Sequence, residues 1–108
     1  MIPADPGADN NYAWELATNP DPGKRWGTLA VELAQDACNR TGGQSVVPMG
    51  TLAAAYAEAG DFDRARSTAR QACDLAAENG QTNLFQVNRQ LLELYQKNQP
   101  FRQSAAER

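Results

Sequence analysis

Leu52-Ala53-Ala54-Ala55-Tyr56-Ala57-Glu58-Ala59-Gly60-Asp61-Phe62-Asp63-Arg64-Ala65 reads as the end of one helix, a tight corner and the start of a second. Gly60 supplies the left-handed residue that ends a helix, and Asp61 beside it accepts from the free backbone N–H groups of the next. Upstream, the first helix is expected from about Val47 to Ala59, with Pro48 in its first turn, where a missing N–H costs nothing. Downstream, the second is expected to run to Glu78, where Asn79-Gly80 closes it.

Working outward, the second helix has a counterpart earlier in the chain. Ala30, Ala34, Ala37 and Cys38 match Ala65, Ala69, Ala72 and Cys73, each pair 35 residues apart. That spacing is the length of one helix-turn-helix repeat. Within each segment the small residues fall at i, i+4, i+7 and i+8, one stripe of a helix, and alanine in such a stripe lets a facing helix come close. Three more helices are expected. One runs about Asp9 to Thr18, ended by Asn19-Pro20-Asp21-Pro22-Gly23, and one about Lys24 to Arg40, with a start only after Gly27 as the alternative. The last runs about Thr82 to Asn98 and stops before Pro100. Residues 1–8, broken by Pro3, Pro6 and Gly7, read as a disordered tail, 9–102 as one helical domain and 103–108 as a frayed end. No segment alternates at period two, so the fold class is all-α, with about five antiparallel helices.

Composition agrees and narrows the function. The chain has 108 residues, one domain's worth, and 42% of them are hydrophobic but only 7% aromatic, so the core is expected to be light. A net charge of −3 has the wrong sign for a nucleic-acid footprint, and no basic run stands out. No apolar stretch is long enough to span a bilayer and the N-terminus lacks the apolar core of a secretion signal, so a cytoplasmic location with no membrane partner is expected. There is no histidine, which removes the commonest general base, nucleophile activator and metal ligand. Gly42-Gly43 lacks the ending of a phosphate loop, and two cysteines without histidines make no usual zinc site. No catalytic residue, cofactor or metal is expected, and Asp61 and Asp63 are read as cap and helix-dipole partner rather than as an acid–base pair. Cys38 and Cys73, on equivalent helices that packing would set about 8–10 Å apart, are expected to stay unpaired as small buried hydrophobes.

The stretch quoted first resembles the core of a tetratricopeptide repeat: Leu52, Ala53, Tyr56, Gly60, Asp61, Phe62 and Ala65, followed by Ala72, stand at its characteristic positions. Met49, Ala69 and Ala77 depart from the pattern where a tryptophan, an aromatic and a proline are usual. Asn11 to Arg40 is similar to a diverged first repeat with an insertion in its turn, and Leu91-Leu92-Glu93-Leu94-Tyr95 to a capping helix. The layout from about Asn11 to Arg102 is similar to the C-terminal ends of large bacterial proteins of this family. The resemblance implies two helix-turn-helix pairs plus a C-terminal capping helix, a fragment of a right-handed α-solenoid.

It also implies a function in protein–protein interaction. In the family, the first helix of each pair lines a concave face that takes a peptide or helix. On this chain that puts Trp14, Val47, Gly50, Ala54, Ala57 and Glu58 in a candidate groove. Gly50 and Ala54 stand where chaperone-binding members carry a carboxylate clamp, and Arg89 alone makes none. Trp26, in the inserted turn beside Arg25, either covers the end of the stack or stands exposed as an anchor for a partner. The alternative function is structural: the cap of a longer solenoid, or a homo-oligomer stacked through its ends.

Overall fold

The structure, a computed structural model, describes residues 6–103. Among them it has five α-helices and no strand: α1 (Pro6–Thr18), α2 (Gly27–Arg40), α3 (Val46–Glu58), α4 (Phe62–Glu78) and α5 (Thr82–Gln96), with one 3₁₀ turn at Pro22–Lys24. Each helix packs on the next, and α1 also lies against α3 and α3 against α5. The odd-numbered helices therefore stand side by side, with α2 and α4 behind them, in a helical-repeat-like array.

The helix ends follow from local chemistry. At the corner quoted above, Gly60 has φ +88°, its N–H donates to Ala57 O at 3.1 Å, and Asp61 N–H donates to Tyr56 O at 2.9 Å. This two-bond ending satisfies carbonyls that the helix leaves free. Asp61 then caps α4 by accepting from Arg64 N–H at 3.1 Å. The same pair of bonds closes α2 at Gly42-Gly43, α4 at Gly80-Gln81 and α5 at Asn98-Gln99. Only α1 ends differently, and it does so where the insertion begins.

Two expected helix starts move by more than a single residue. Helix α1 starts at Pro6, so residues 6–8 belong to the helix rather than to a tail; a proline in the first turn forfeits no helical bond. The expected tail residues 1–5 and the frayed residues 104–108 lie outside the described residues. Helix α2 starts at Gly27, because the residues before it are committed to a tight turn. Asn19 Oδ1 accepts from Asp21 N–H and Asp21 Oδ1 from Gly23 N–H, both at 2.9 Å, and Trp26 N–H donates to Leu16 O at 2.9 Å. A side chain at Gly27 would bring its Cβ to 2.8 Å from Ala59 N, so the start of α2 abuts the end of α3 backbone to backbone.

The core is largely alanine. Ala30, Ala34 and Ala37 are wholly buried, as are their counterparts Ala65, Ala69 and Ala72, and Cys38 and Cys73 are buried and unpaired. The large side chain at the centre is Tyr95, fully buried among Ala53, Ala57, Ala65, Ala69 and Leu91. Tyr56 is half-buried and bridges two clusters, with Arg64 5.9 Å from its ring centre.

Candidate functional site: a groove across α1, α3 and α5

The side-by-side packing of α1, α3 and α5 leaves a groove of about 260 Å³ along their exposed faces. Helix α1 contributes Asn10, Asn11 and Trp14, α3 contributes Val47, Gly50 and Thr51, and α5 contributes Leu84, Val87, Asn88 and Leu91. The walls are apolar, and no charged side chain is among these residues. Val47 and Val87 are 48% and 50% exposed, an uncommon position for two valines facing each other's helices.

The floor is shaped by one glycine and two amides. Asn88 Nδ2 donates to Leu84 O at 2.9 Å, which turns its Oδ1 toward Gly50. A Cβ at position 50 would lie 2.6 Å from that oxygen, so Gly50 is what lets Asn88 lie flat against α3. Asn10 is buried, and its Oδ1 has no hydrogen-bond partner.

Of the residues expected in the groove, Trp14, Val47 and Gly50 line it. Ala54, Ala57 and Glu58 do not. Ala54 is 2% exposed, packed beneath α1 and α2 against Leu16, Ala17, Ala30 and Trp14. Ala57 is equally buried, in the cluster that holds Tyr95 and meets Phe101. Glu58 has an exposed side-chain fraction of only 15% and is held between Arg25 Nε at 3.4 Å, without hydrogen-bond geometry, and Arg102 Nη2 at 2.8 Å. The covering element is a strap, residues 99–103, which returns from the end of α5 across the C-terminal part of α1 and α3. Phe101 stacks on Trp14 with ring centres 5.6 Å apart. Gln103, assigned to a frayed end from the sequence, donates from its backbone to Thr18 O and from Nε2 to Thr18 Oγ1, both at 2.8 Å.

Trp26 is 60% exposed, and Arg25 turns away from it toward Glu58, so the ring does not cover the stack with Arg25 on its face. It shares a shallow cleft with Tyr12, itself 56% exposed, and with Lys24 and Glu15. Sequence reasoning missed the α5 wall of the groove: Leu84, Val87 and Leu91 follow helical spacing but carry no sign of which face they line, and Asn88 stands among them as a lone amide.

Among the described residues no group of three or more His, Cys, Asp or Glu side chains is placed to hold a metal ion, and no helix is long and apolar enough to cross a membrane. Burial pushes the Cys38 and Cys73 thiols above their ordinary range, the opposite of an activated nucleophile. Comparison with protein-family models, curated proteins and solved structures found no match to this chain.

Proposed function

We propose that the chain is a protein-interaction module of tetratricopeptide type, which binds a peptide or a helix along the face formed by α1, α3 and α5. The observation that carries this reading is the groove itself: apolar walls, two half-exposed valines and a half-buried tryptophan, with no charge in the lining. Open apolar concavities of this kind are characteristic of ligand and partner sites. The family assignment is supported by the 35-residue equivalence of buried alanines and by the alternating inner and outer helices. Binding rather than catalysis is favoured because the chain has no histidine and its thiols are buried. A protein partner, rather than nucleic acid, suits the net charge of −3 and the uncharged groove.

The test uses a random-peptide display library panned on the full chain. Enriched peptides are expected to lose about ten-fold or more in affinity on Val47→Arg or Val87→Arg, as a charge at the centre of an apolar contact does. Circular dichroism should stay unchanged, because both positions already face solvent. Binders indifferent to both substitutions would move the binding face elsewhere. Position 54 is no place for this test, since an arginine there would break the packing under α1.

A second reading has an observation of its own. The outer surface of α5 is polar, with Gln86, Arg89, Gln90 and Glu93 exposed, as suits a capping helix. The opposite end exposes Tyr12 and Trp26. That end suits a preceding repeat of a longer solenoid, or a second copy.

A further inference from the structure

We propose that Trp14, Thr18 and Glu58 form a binding site for an extended aromatic–arginine–glutamine segment, and that this chain fills the site with its own residues 101–103. The proposal deepens the groove reading by naming a partner chemistry; it rests on that reading for the partner but not for the site.

The two halves of the face are continuous. On α3, Val47, Gly50, Thr51, Ala54 and Glu58 recur at helical spacing and share one side. The first three line the open groove, and the last lies under the strap. On α1, Asn10 and Asn11 are in the open half, Thr18 is under the strap, and Trp14 belongs to both, one surface lining the groove and the other stacked on Phe101. The strap therefore occupies the continuation of the groove beyond Trp14.

Three chemically different contacts define what this half takes. An aromatic ring meets Trp14. A guanidinium meets Glu58, whose other partner, Arg25, offers no hydrogen bond of proper geometry, so the carboxylate has acceptor capacity that Arg102 fills. A main-chain N–H and a side-chain amide meet Thr18, whose carbonyl is free because it lies in the last turn of α1. Thr18 Oγ1 donates to Trp14 O at 2.6 Å, which leaves its lone pairs for Gln103. The backbone contact is made by a segment that lies in no helix or strand, which suits an extended occupant.

The occupant is tethered rather than built in. Residues 99–103 have no helix or strand of their own, they leave α5 through Asn98 at φ +57°, and the Arg102 side chain is 38% exposed. A short tether gives the strap an effective concentration of about millimolar. A partner with the same three residues preceded by apolar ones would reach the open half as well, and would gain contacts there that the strap does not make.

The probe is a capped peptide matching residues 99–103, titrated into full-length, isotope-labelled protein. With Phe101→Ser and Arg102→Ser together, the peptide should bind about ten-fold or more tighter than to the parent chain, whose site is already filled. The shifted signals should be those of Trp14, Thr18 and Glu58. Equal affinity for both proteins, or no binding to the variant, overturns the proposal. If the variant loses its helical signal, the parent chain serves instead. Peptide well above millimolar should then release the Gln103 amide from its folded position, and a Gln103 signal that never moves is equally fatal. Failure here with groove-binding peptides still selected would leave the function reading standing; success here with none selected would do the reverse.

Discussion

Tyr95 is wholly buried, yet its hydroxyl has no hydrogen-bond partner, and burial holds its pKa well above the ordinary tyrosine value. An unmet buried hydroxyl costs more than it returns, so Tyr95→Phe should leave the fold intact and raise its stability by about 1 kcal/mol in urea unfolding. Gly50 presents a closer balance. Alanine there gains about 1 kcal/mol of helix propensity. Its Cβ would also push Asn88 off Leu84 O and leave a buried amide unpaired, at about 1–3 kcal/mol. Gly50→Ala should therefore destabilise modestly in the parent and become stabilising in an Asn88→Ala background, a sign change that a double-mutant cycle reads directly. The cysteines add a pH dependence. Burial raises both thiol pKa values in the folded state, so the unfolded chain ionises first. Their contribution is whole below the unfolded thiol pKa, about 8.5, and is lost as pH rises beyond it toward the folded values. Unfolding midpoints should fall above that pH, and native protein should resist thiol reagents that modify it at once in denaturant.

At the scale of elements, the start of α2 meets the end of α3 backbone to backbone. The Cβ of Gly27→Ala would lie 2.8 Å from Ala59 N and 2.9 Å from its Cα, and backbone atoms cannot step aside as the Asn88 side chain can. The two helices must part, so Gly27→Ala should cost about 1–3 kcal/mol or more, clearly above the cost at Gly50, by the same urea measurement. The contrast also marks what could be read in the sequence. The helices, their alanine stripes and the Gly60-Asp61 corner were legible because each rests on residues within a few positions of one another. Gly27 gave no such sign: a glycine at a helix start looks the same whether a neighbour's backbone lies against it or not. The strap was illegible for the same reason. Arg102 reaches Glu58 and Gln103 reaches Thr18 across long stretches of chain, and residues 99–103 have no period to betray it. Since the strap and α1 cover α3 below Trp14, half of the expected groove residues are interior, while Trp14, Val47 and Gly50 are in the open half.

For the whole molecule, the two ends of the helical array differ, and the difference decides how copies could associate. The α5 end presents Gln86, Arg89, Gln90 and Glu93 to solvent, whereas the other end presents Tyr12 and Trp26 around one shallow cleft. Contact between unlike ends would propagate into a filament, but a polar end is a poor partner for two aromatic rings. Contact between like ends closes after two copies. Any self-association should therefore stop at a dimer joined through Tyr12 and Trp26, with both grooves still open. Two pairs and a single helix fall short of the three repeats that usually stabilise such arrays, so burying these rings would also support the fold. Sedimentation velocity over a concentration series should show a monomer–dimer equilibrium that Tyr12→Ser with Trp26→Ser abolishes, without changing the affinity of groove-selected peptides. A single monomeric boundary at every concentration would overturn association through Tyr12 and Trp26.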